Sequence, residues 1–234
     1  MTMVTDGSIA RPKRNLLANV LAKFIVGIIV VGVVIFVPAG SLSFWNGWLY
    51  LVVLGGLMTC ALIYLYLKDP TLLEERLKTE EKQKEQKIYQ VVSLVWSLFL
   101  FIIPGLDYRF GWSSVPSWLV VAAVVIMVAS YTMFFAVMVQ NKYASRVIKI
   151  QDGQRLIDRG LYSIVRHPMY LAGTILFTAS PVVLGSFYAL LLSPFLPLLL
   201  VYRIKNEERL LLAELEGYGE YTKRVKYRLV PHVW

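Results

Sequence analysis

The sequence predicts an all-α, polytopic membrane bundle of about six transmembrane helices, ending in a helical hairpin and a cytoplasmic amphipathic tail. Three observations carry this expectation. Of the 234 residues, 57% are hydrophobic and only 17% are charged, against about 25% charged in a soluble domain. The missing charge is concentrated in windows of roughly 20 residues, the length that crosses a bilayer core. The basic residues also sort by loop. With spans at 16–37, 44–67, 89–106, 117–139, 169–185 and 187–202, 23 of the 24 Lys and Arg residues fall on one side, Arg109 being the exception. The net charge of +9 is thus a topology signal and not the footprint of nucleic acid. The positive-inside rule places both termini in the cytoplasm.

Each element follows from local sequence. Residues 1–15 read as a short tail. The apolar run 16–37 reads as a retained span, since the core of a secretory signal is only about 7–15 residues long. An uncharged turn, Pro38-Ala39-Gly40-Ser41, leads to the second span, where Gly55-Gly56 allows close helix approach. The loop 68–88 holds six Lys/Arg and six Asp/Glu. It reads as a solvated helix on the membrane surface, opened by Pro70 and laced with i,i+4 pairs. Trp112 and Trp118 flank the external loop after the third span and are placed like interfacial anchors.

Past Gln140 the chain turns polar, and Gln151-Asp152-Gly153-Gln154 marks a turn in an ordered connector. Between 169 and 202, Pro181, Pro194 and Pro197 surround Gly185-Ser186. A tight hairpin with a kinked return helix fits. Proline at membrane depth needs neighbours to satisfy the freed backbone, so this hairpin is expected inside the protein or along a cavity. Residues 204–234 form the tail, broken at Tyr218-Gly219-Glu220-Tyr221. The organisation is a tail (1–15), four spans with the charged loop (16–139), and a C-terminal unit holding the hairpin and the tail (140–234).

Cys60 is the only cysteine and His167 and His232 are the only histidines, so neither an intrachain disulfide nor a metal site is expected. No Gly-x-Gly-x-x-Gly follows a strand-like run, which argues against a soluble-type nucleotide fold. A cofactor must bind between membrane helices and the tail.

The chemistry concentrates in two places. Pro168 suits the first position of a helix, which puts Arg166-His167 at the start of the fifth span. Free N–H groups there, with the guanidinium of Arg166, make an anion site, and Tyr170 lies one turn further in. Glu207 and Glu208 follow the sixth span. Adjacent helical residues point about 100° apart, so one carboxylate faces the bundle and the other the rim. Glu208 is expected inward, with Glu207 outward beside Arg203, four residues back. A hairpin brings Arg166-His167 and Glu207-Glu208 together. An anion site beside carboxylates suits a zwitterion with an extra positive charge, and S-adenosylmethionine has those charges. Its methyl transfer is an in-line displacement in which positioning supplies most of the rate.

These residues resemble a known family. Gly160-x-Tyr162, Arg166-His167-Pro168-x-Tyr170, Glu207-Glu208, Tyr218-Gly219-x-Tyr221 and Val230-Pro231 look like the isoprenylcysteine carboxyl methyltransferases, with the phospholipid N-methyltransferases as relatives. The resemblance is specific over 140–234. It implies that Tyr162, Arg166, His167, Pro168, Tyr170, Glu207, Glu208, Tyr218 and Tyr221 bind S-adenosylmethionine, that Glu208 and Arg166 are catalytic, and that the tail closes over the cofactor. It also implies a lipidic acceptor entering from the bilayer, with Asn141 and Arg146 at its polar entrance. Leu161 stands where many relatives have proline.

The expected function is therefore an integral membrane S-adenosylmethionine-dependent methyltransferase, such as one that O-methylates the carboxyl of an isoprenylcysteine-like lipid, in a bacterial or archaeal inner membrane. Phospholipid amine N-methylation remains open, because nothing in the sequence separates carboxylate from amine. A sterol-reductase-like enzyme using a phosphorylated nicotinamide is the other enzyme class, but a 2′-phosphate wants Arg and Lys without a carboxylate pair beside them. A transporter would carry ionisable groups at mid-span, and 24–37, 44–67 and 117–139 have none. A lateral opening toward lipid is expected near 135–146 and 195–205. Membrane lipids are the expected surroundings, no nucleic acid is expected as a partner, and the oligomeric state is open.

Overall fold

The computed structural model describes residues 13–77, 84–143 and 153–234. Every regular element among them is helical: α1 (Lys13–Ala39), α2 (Trp45–Lys68), α3 (Pro70–Leu77), α4 (Lys84–Phe110), α5 (Ser117–Gln140), α6 (Pro168–Val183), α7 (Phe187–Leu190), α8 (Phe195–Glu214) and α9 (Tyr218–Arg224), with a 3-10 turn at Gly160–Ser163. Leu16–Ala39, Trp45–Lys68, Ile88–Phe110, Ser117–Gln140 and Phe187–Glu214 are long and apolar enough to cross a membrane, and α6 is a shorter apolar helix. The protein is an integral, multi-pass membrane bundle. Apolar side chains such as Val26, Val52, Val121 and Leu198 are exposed on its outer face, where lipid and not water is the solvent.

The spans follow the sequence pattern, and the return half of the hairpin adds detail. After α6 the chain turns at Gly185 (φ +76°), forms the single turn α7 capped by the Ser186 hydroxyl, and only then enters α8. Pro194 sits at the start of α8, where its missing N–H costs nothing. α8 continues well past residue 202, and that extension carries Arg203, Glu207 and Glu208.

α5 packs along α6, and α1 along α4. The tight approach is at Gly105, where a Cβ would lie 2.6 Å from the Ile35 carbonyl oxygen. Gly55-Gly56 does not do this job. Gly56 has open space around it and Gly55 meets only a side-chain methyl at 3.6 Å, since both face away from the tight crossing. At the end of the bundle holding the α4–α5 loop, buried Asp107 accepts from the Ser113 amide (2.7 Å) and the Ser113 and Ser186 hydroxyls (2.6 and 2.5 Å), which pins that loop to the α6–α7 turn.

The charged loop departs from the expected solvated helix. Leu72 and Leu73 of α3 are buried and pack with Leu65 and Met138. Asp69 caps α3, accepting from the Leu72 amide at 3.1 Å and the Thr71 hydroxyl at 2.6 Å. Two leucines at the start of the loop thus fold it down onto the bundle.

Candidate functional site

The start of α6, the far end of α8, α9 and the extended segment after it converge at one end of the bundle. Pro168 occupies the first turn of α6, with His167 preceding it. The Arg166 and His167 amides donate to the carbonyls of Tyr227 and Arg228, both at 2.9 Å. The two amides just before the helix are therefore taken by the tail.

Glu208 is buried, with 5% of its surface exposed. Its Oε1 lies 2.9 Å from Arg166 Nε and 3.4 Å from His167 Nε2, and its Oε2 accepts from Arg228 Nε at 2.7 Å. The Arg166 contact is an ion pair by distance without hydrogen-bond alignment. Glu207 accepts from the Tyr170 hydroxyl at 2.6 Å, and that hydroxyl accepts from Arg203 Nε at 2.8 Å. The His167 and Tyr170 rings stack with centroids 5.5 Å apart. The two carboxylates point different ways: Glu208 is buried, the inward one as expected, and Glu207 is half-buried and linked to Arg203 through the Tyr170 hydroxyl. Glu207 lines the cavity described below and Glu208 does not. Arg166, His167 and Arg228 hold Glu208 in the seam between α6, α8 and the tail.

The tail supplies the next wall. Tyr221 donates from its hydroxyl to the Tyr162 carbonyl at 2.7 Å, and Asn141 Nδ2 donates to the Tyr162 hydroxyl at 2.8 Å. Burial pushes the Tyr162 phenol from its ordinary 10.0 up to about 12, although the Asn141 hydrogen bond pulls the other way. Tyr218 is buried and its hydroxyl has no hydrogen-bond partner among the described residues. Burial first, then the nearby Glu208 and Glu207, hold its phenol far above its ordinary value. It is a neutral donor.

These groups line a cavity of about 660 Å³, within the roughly 300–1,000 Å³ usual for small-molecule sites. It has two arms. Arg166, His167, Glu207 and Tyr218 line the polar arm, while Ala61, Leu62 and Leu65 of α2 with Phe134 and Met138 of α5 line the apolar arm. Of the nine residues expected to hold cofactor, Tyr162, Arg166, His167, Tyr170, Glu207, Tyr218 and Tyr221 line it. Pro168 and Glu208 do not; one starts a helix and the other clamps the tail. Asn141 lines the cavity, and Arg146 lies outside the described residues. The expected stretches 135–146 and 195–205 both reach the cavity, through Met138, Asn141, Tyr143 and Arg203, while the start of α8 packs against Trp96 and Leu100 of α4.

Two residues escaped sequence reasoning. Arg228 holds Glu208, yet it is one of seven basic residues from Arg203 onward, with no local motif to mark it. Arg76 reaches the cavity from α3; only the adjacent Leu72-Leu73 pair hinted that this helix is half-buried.

Comparison with known proteins gives two similarities. The model of the isoprenylcysteine carboxyl methyltransferase (ICMT) family matches residues 120–213, which span α5 to the end of α8. The match covers less than half of the chain, and over those residues the chain is similar to that family. The chain is also 26% identical over 188 residues to a Delta(14)-sterol reductase of Methylotuvimicrobium alcaliphilum, an alignment covering 72% of this chain and 44% of that protein. The chain therefore spans less than half of that relative's length.

Proposed function

We propose that this chain is an S-adenosylmethionine-dependent methyltransferase whose acceptor is lipidic. The observation that carries the proposal is one cavity with a charged arm continuous with an apolar one, inside a membrane bundle. A water-soluble cofactor and a lipid can meet only where both phases reach.

The donor set fits the cofactor. Arg166 and His167 suit its carboxylate, Glu207 suits its ammonium, and the Tyr218 hydroxyl offers a buried donor. When bound, S-adenosylmethionine supplies an electrophilic methyl group. The protein's own part is to hold and orient. Glu208 keeps Arg166, His167 and Arg228 together, so the tail helix α9 stays over the polar arm and excludes water, which strengthens the local electrostatics. Tyr170 holds Glu207 in a fixed rotamer. α2 and α5 receive the apolar body of the acceptor, which enters between them from the bilayer. A carboxylate acceptor, as in an isoprenylcysteine-like lipid, needs no base. An amine acceptor needs a proton removed, and Glu207 or His167 is placed to take it. The polar arm faces the cytoplasm of a bacterial or archaeal inner membrane.

The second reading is a reductase using a phosphorylated nicotinamide. It is favoured by the sterol reductase relative and by Arg76, Arg155, Arg166 and Arg203 around the cavity. Glu207 in the same cavity opposes it, because a carboxylate repels a phosphate. Calorimetric titration of the purified protein with S-adenosylhomocysteine and with the reduced phosphorylated nicotinamide separates the two. Binding of the first alone is expected; binding of the second alone sinks the proposal.

A further inference from the structure

We infer that Arg76 is a specificity-determining residue for the acceptor, binding an anionic oxygen group, carboxylate or phosphate, where the polar and apolar arms meet. The inference rests on the methyltransferase reading for what that ligand then undergoes. Arg76 comes from α3, outside the 120–213 family match. The helix is held against the bundle by buried Leu72 and Leu73 and capped by Asp69, so its inward face is set and Arg76 points into the cavity.

Among the described residues the guanidinium there has no anionic partner. Its Nε is buried without a hydrogen-bond partner. Its two terminal nitrogens reach only Met169 Sδ, each at 3.9 Å, and a thioether is a weak acceptor. Among the described residues no carboxylate pairs with it. Burial pushes its pKa from the usual 12.5 down to about 10, so the group is still charged at neutral pH. A sequestered cation without a counter-ion is unfavourable, and an arriving anion removes that deficit. The guanidinium fork matches the two oxygens of a carboxylate or phosphate.

The surroundings define the rest of the ligand. Leu65, Leu73, Met138 and Met169 line the same part of the cavity, so the anion sits at the head of an apolar chain. An amphiphile headed by a bare amine places a cation against Arg76 and is excluded.

The test uses the full chain in a neutral maltoside detergent, with scintillation-proximity binding of radiolabelled hexadecanoate and hexadecyl phosphate. Unlabelled hexadecylamine serves as competitor. At least one of the two anionic probes should bind wild type, and the tighter one identifies the head group. R76Q should lose about tenfold or more in that affinity. R76K should keep part of it, through the charge without the fork. S-adenosylhomocysteine affinity should stay within about twofold in both variants, which also reports that they fold. Unchanged anion binding in R76Q, effective competition by hexadecylamine, or an equal loss of S-adenosylhomocysteine affinity each overturns the inference. If wild type binds no S-adenosylhomocysteine yet anion binding depends on Arg76, the methyltransferase reading fails and the anion site stands.

Discussion

Replacing Glu208 by alanine should release the tail. The carboxylate lies between Arg166, His167 and Arg228. Arg166 and His167 have side chains only 7% and 5% exposed, so neither can turn to water. Arg228, at 35%, can. Removing one partner of a buried pair costs about 3–5 kcal/mol, and here it also leaves cations facing one another across the seam. Even the lower value makes detachment of the tail about 10²-fold more frequent. The amides of Arg166 and His167 report it directly, because both donate to tail carbonyls. Hydrogen exchange by mass spectrometry should show about 10²-fold faster exchange over 166–167 in Glu208→Ala, with α5 unchanged. Glu207→Ala is the control. It removes an acceptor of one hydrogen bond, costs about 1–3 kcal/mol, and should leave the tail docked. Unaltered exchange at 166–167 in Glu208→Ala, or equal acceleration in both variants, would refute the assignment of Glu208 as the clamp.

Three further outcomes are expected. His167→Ala should weaken S-adenosylhomocysteine binding by about 1–3 kcal/mol, the worth of a lost buried or charged hydrogen bond, with normal membrane insertion; unchanged calorimetric affinity removes His167 from the site. Asp69→Ala should destabilise α3 by about 1 kcal/mol through loss of its cap, read as faster exchange at the Leu72 amide. The Thr71 hydrogen bond above all holds the Asp69 carboxyl below its ordinary 3.8, so its stabilisation is present above that value and lost as pH falls through the lower folded-state pKa; an Asp69→Ala effect that does not shrink as the pH is lowered below 3.8 contradicts this. In a protein with Cys60 replaced by alanine, cysteines at Ser43 and Ser114 should react with impermeant reagent from outside, and one at Lys226 only from the cytoplasm. Reaction of Lys226→Cys from outside inverts the charge-based topology and the placement of the site.

The family-bearing motifs were legible because they are local. Pro168 starts a helix by its own stereochemistry, and Glu207-Glu208 diverge because any helix separates neighbours by about 100°. Which of the two faces the cavity was not legible. That depended on Arg228, twenty residues further along, curling back to meet Glu208. The two amides just before Pro168 were likewise taken by Tyr227 and Arg228, a long-range pairing without a sequence period. The Gly55-Gly56 pair misled because a glycine only permits close approach; the neighbouring helix decides whether it happens, and here it happens at Gly105.

By itself the sequence determined that the chain is a helical membrane bundle, roughly where its long apolar helices lie, and which polar residues are available near the start of α6 and the end of α8. Hydropathy and charge act residue by residue against a bilayer, so they can be read without knowing the packing. Tertiary structure alone decided that α3 folds onto the bundle with Arg76 lining the cavity, that apolar side chains of α2 and α5 line it too, and that Glu208 binds the tail while Glu207 lines the cavity. Each of these depends on which side chains meet across elements far apart in the chain, and contacts of that kind leave no periodic mark in the sequence.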